Sequence, residues 1–71
     1  MKPLTTNELL VINDCLTGEL TGNYSITTHA HTNVVVCASL HDAEIACSVL
    51  DFLCYKAVVH NPDATTFEVV F

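Results

Sequence analysis

"LHDAEIACSVLDFLCY", residues 40–55, decides the fold. His41, Glu44, Ser48, Asp51 and Tyr55 recur within it at alternating steps of three and four, which is the spacing of one helix face. Ala43, Ile45, Ala46, Val49, Leu50, Phe52 and Leu53 occupy nearly all the other positions. Ser39 stands before the stretch as an N-cap, with Asp42 at N3 and Glu44 close behind, where the helix dipole favours negative charge. The expectation is a helix with one narrow polar stripe that buries most of its circumference.

On both sides of this helix the hydrophobic period changes to two. Upstream, Tyr24, Ile26, Thr28 and Ala30 alternate with Ser25, Thr27, His29 and His31, a strand over 24–31. A turn around 31–33 then leads into "VVVCA" (34–38), a second and more buried strand. Downstream, "KAVVH" (56–60) reads as a third strand and "NPDA" (61–64) as a turn with proline at its second position. "TTFEVVF" (65–71) is a fourth strand, with Phe67, Val69 and Phe71 on one face and Thr66, Glu68 and Val70 on the other. Its position at the chain end suggests an open edge. At the other terminus "TTNE" (5–8) has the spacing of a capping box, so a first helix begins there with Leu9, Ile12 and Leu16 as its stripe. Gly18 fits the left-handed residue after that helix, which places it at about 6–17, and "LTGELTGN" (16–23) reads as a loop. The order α-β-β-α-β-β implies one α+β domain over residues 1–71. It should be a two-layer sandwich whose four-stranded, mainly antiparallel sheet carries both helices on one face.

A domain of 71 residues draws only about 3–5 kcal/mol from a single core. Here 51% of residues are apolar and 14% charged, so some apolar surface should be covered by a partner. Eight acids face Lys2 and Lys56 alone, for a net charge of −6. That balance disfavours direct binding to nucleic acid or an anionic membrane, and favours a protein partner with a basic surface. No stretch has the length of a membrane helix and the first residues lack the apolar run of a signal peptide, so a cytosolic protein is expected. Cys15, Cys37, Cys47 and Cys54 then read as buried thiols, while an oxidising compartment would allow three disulfide pairings.

Three sets of side chains are candidates for function. His29 and His31 share a strand face and could hold a zinc-type ion with Cys37, His41 or His60, although no zinc-module spacing is present. Cys47 and Cys54 lie two helical turns apart, about 10 Å, too far for a disulfide, and Asp51 between them would raise a thiol pKa. Asp42, Glu44 and Asp51, with His41 and Tyr55 on the same stripe, form an acidic docking face, and the outer sheet face adds Val35, Cys37, Val58 and Val70. No nucleophile–base pair and no phosphate loop stands out, so neither catalysis nor a cofactor is expected. The leftover apolar surface also points to a homodimer, twofold pairing being the commonest solution.

A compact acidic domain with two capped helices, two hairpins and no catalytic motif resembles the small inhibitor proteins of bacteriophages and other mobile elements, anti-CRISPR proteins among them. The resemblance is one of size, charge and organisation. It implies a non-enzymatic protein acting in the host cytoplasm by occluding a host protein, including one that holds nucleic acid.

Overall fold

The computed structural model describes residues 4–28, 32–63 and 65–71. The elements are α1 (Thr6–Glu19), β1 (Tyr24–Thr28), β2 (Asn33–Cys37), α2 (Leu40–Phe52), β3 (Val58–His60) and β4 (Phe67–Val70). The strands form one antiparallel sheet in the order β1-β2-β4-β3. The fold is thus α+β, as expected. The last strand is not an edge, however. β4 lies between β2 and β3, and its ladder with β2 continues through Asn33 and Phe71, whose N–H and C=O groups exchange bonds of 3.1 and 2.9 Å. Asn33, expected in a turn, therefore opens β2 and is buried.

Both helix starts follow from local hydrogen bonding. Thr5 accepts from the Glu8 amide at 3.1 Å, while Glu8 Oε1 accepts from the Thr5 amide at 3.0 Å. Ser39 Oγ accepts from the Asp42 amide at 3.2 Å. The end of α1 departs from expectation. Gly18 lies inside the helix with no positive φ, and the Leu20 amide closes the last turn on the Leu16 carbonyl at 2.8 Å. It is α2 that ends in a left-handed residue, Cys54 at φ 71°. There the Tyr55 amide reaches Leu50 O at 2.9 Å and the Cys54 amide reaches Asp51 O at 3.0 Å, the paired bonds of a Schellman motif.

Strand register sorts the sheet residues into two faces. Tyr24, Cys37 and Phe67 stand opposite one another, as do Ile26, Val35, Val69 and Val59. This face joins Ile12 and Leu16 of α1 and Ala43, Ala46 and Leu50 of α2 in one core. The small side chains at 43 and 46 let α2 come close to the strands. The second face carries the rows Ser25, Val36, Glu68, His60 and Thr27, Val34, Val70, Val58. Val35 and Cys37, expected on this outer face, belong to the core instead, and Val34 and Val36 take their place.

Candidate functional site

The expected acidic face divides. His41, Glu44, Ser48 and Asp51 are exposed along α2. Asp42 is not among them. It is 1% exposed, and its carboxylate grips the loop that follows α1. Oδ1 accepts from the Thr21 amide at 3.2 Å and from the Thr21 hydroxyl at 3.0 Å, and Oδ2 accepts from the Gly22 amide at 2.8 Å. These donors, the Thr21 amide foremost, hold its pKa below the usual 3.8. Asp42 is therefore a structural anchor. A docking role for it is excluded by burial, and the same holds for Val35, which is 0% exposed.

Tyr55 is half-buried and turned inward from the polar stripe. Its hydroxyl donates to Glu8 Oε2 at 3.0 Å, and its ring meets Phe71 edge-on, centroids 5.5 Å apart at 71°. Burial, then Glu8, raises the phenol pKa. Tyr55 binds the end of α2 to the start of α1, and Asp42 binds the start of α2 to the end of α1. The two helices consequently run antiparallel.

Between them lies a groove of about 380 Å³, lined by Cys15 and Glu19 of α1 and by Ile45, Ser48, Val49 and Phe52 of α2. Ile45, Val49 and Cys15 are half-buried and form its apolar part. Phe52 is 86% exposed, so α2 does not bury most of its circumference. The groove residues of α2 sit at i, i+4 and i+7 beside the exposed Glu44, Ser48, Asp51 row. That period is visible in the sequence, but nothing local distinguishes it from a core stripe. Asp51 lies in the last turn of α2, which contains no basic residue, and α1 likewise ends in Glu19 without one. Among the exposed acids are Asp14, Glu19, Glu44, Asp51 and Asp63, whereas Lys56 is the sole lysine or arginine among the described residues.

The other candidates are less coherent. His29 and His31 lie outside the described residues, and among the described residues no group of three or more His, Cys, Asp or Glu is arranged to hold a metal ion. His60 faces Glu68 across β3 and β4, Nδ1 to Oε1 3.2 Å. All four cysteines are free, and Cys54 is exposed rather than buried. Burial, with a smaller push from Asp42, raises the Cys37 pKa to about 11. Cys47 is raised by burial and by Asp51, and its Sγ donates to Ala57 O at 3.4 Å. Neither of these thiols is poised as a thiolate. No helix among the described residues is long and apolar enough to cross a membrane. No family model, curated protein or solved structure matches the chain.

Proposed function

We propose that the chain is a non-enzymatic interaction module, which binds a basic surface of a protein partner and inhibits or modulates that partner by covering it. The observation that supports this is the pairing of Asp51 with Phe52 at the end of α2. A carboxylate in the last helical turn opposes the macrodipole at about 0.3–1 kcal/mol, and the adjacent aromatic ring faces water. Each residue is unfavourable for the isolated chain. Together they match what a partner supplies, a pocket for an aromatic anchor and a lysine or arginine for the carboxylate. Glu44 on the same helix face and Glu19 across the groove extend the negative field, which steers a basic partner and works against phosphate. Blocking a host protein in this way is what the resemblance to small phage inhibitors implies.

The test is capture of a partner from a cell lysate, followed by affinity measurements with Phe52→Ala and with Glu44→Lys/Asp51→Lys. Circular dichroism confirms that each variant is folded. Both variants should bind at least about tenfold more weakly, roughly 1.4 kcal/mol. Affinities equal to the parent's in both would remove the α2 surface from consideration.

A further inference from the structure

A second groove, of about 510 Å³, opens on the other side of α1, lined by Leu9, Leu10, Asn13, Tyr24, Ser25 and Ile26. It exists because α1 stands off from β1. No Cα of one lies within 8 Å of a Cα of the other. Tyr24 spans the gap as a strut. Its phenol oxygen lies 2.7 Å from Asn13 Oδ1, 3.0 Å from the Asn13 carbonyl and 2.8 Å from Thr17 Oγ1. Beside the groove β1 is a sheet edge, paired among the described residues with β2 alone. In an antiparallel ladder every second residue of such a strand directs its N–H and C=O away from its neighbour. Native edges are usually blunted by lysine, proline or an inward charge, and "YSITT" (24–28) has none of these.

We propose that β1 accepts an extended peptide as a fifth strand. One apolar side chain of the peptide sits between Leu9, Leu10 and Ile26, and lysine or arginine flanks it. The backbone edge selects an extended chain, and the groove selects one apolar side chain. Charge selects the basic flanks: the exposed Asp14 follows Asn13 of the groove wall, neither α1 nor β1 carries a cation, and the chain as a whole carries −6. The same charge argues against a second copy here, since edge-to-edge pairing would bring two chains of −6 together with no cation on either strand. This site is independent of the Phe52 surface.

Peptides selected from a random twelve-residue displayed library are the probe, mapped on the intact protein by amide and methyl NMR shifts. The expected result is enrichment of one apolar residue flanked by Lys or Arg, with shifts concentrated at residues 24–28, Leu9 and Leu10. N-methylation of alternate peptide amides, in the register facing β1, should abolish binding. Leu10→Lys, at a position 61% exposed and so tolerant of charge, should weaken binding at least about tenfold, while Phe52→Ala leaves it unchanged. A library that yields no binder, or binders whose shifts map to the α1–α2 groove or the valine face, overturns the proposal. So do N-methylated peptides that bind as well as their parents. Concentration-dependent shifts at residues 24–28 without peptide would give the edge to a second copy, with the same consequence.

Discussion

At the scale of single residues, Asp42 is the group on which most depends. Its folded pKa is depressed, so its contribution to stability is present above the unfolded value near 3.8 and is lost as pH falls through the lower folded value. Asp63 behaves in the same way, because the Thr65 amide and hydroxyl and then Thr66 bond its carboxylate in the turn after β3. Chemical denaturation should accordingly show stability declining below pH 3.8, and Asp42→Asn/Asp63→Asn should flatten that decline; an unchanged slope in the double variant would contradict the assignment. Gly22 shares the same clasp. A Cβ there would lie 3.0 Å from Asp42 Oδ2, an oxygen held in place by the Gly22 amide, so Gly22→Ala should lower the melting temperature. Two other positions should gain. Cys54 holds a left-handed φ that suits glycine, and Cys54→Gly should stabilise by about 1 kcal/mol in urea unfolding. Gly18 is helical, and a methyl group added to its Cα would meet only open space, so Gly18→Ala should add about 0.5–1 kcal/mol.

Among the elements, α2 has two sides with opposite roles. Leu50 is fully buried in the core, so Leu50→Ala should cost about 2–5 kcal/mol of stability. Phe52, two residues on, should tolerate alanine within about 0.5 kcal/mol in the same urea titration, since its ring is almost wholly exposed. The existence of both helices, their N-caps and the two hairpins was legible because each rests on a local pattern: Thr5 with Glu8, Ser39 with Asp42, and alternation from Tyr24 onward. Which way β2 faces was not legible. Three consecutive valines have no alternation, and only the pairing of Val35 with Ile26 and Val69 turns Val35 inward. Asp42 and Glu44 also look alike in sequence. Their separation arises from Thr21 and Gly22, some twenty residues away, folding back onto one carboxylate.

For the whole molecule, one surface open to the homodimer expected from leftover apolar residues is the face bearing Val34, Val36, Val58 and Val70. Four short strands at about 4.8 Å spacing offer on the order of 300–600 Å², against about 800 Å² per partner in a stable interface. Light scattering at micromolar concentration that returns 7.7 kDa would fit that shortfall, and a dimer mass would restore the homodimer, through this face, a strand edge or the exposed Phe52 side of α2. The candidate docking surface was half legible for a related reason. Composition showed an acidic chain with more apolar residues than one core can hold, but only tertiary packing separates the buried Leu50 from the exposed Phe52. The most direct test joins stability and affinity in one variant, Asp51→Lys, measured by urea unfolding and by titration of the captured partner. Relieving the dipole should stabilise the chain by about 0.3–1 kcal/mol while binding weakens at least about tenfold, more so at low salt. A variant that binds like the parent would contradict the assignment of the end of α2 as the docking surface.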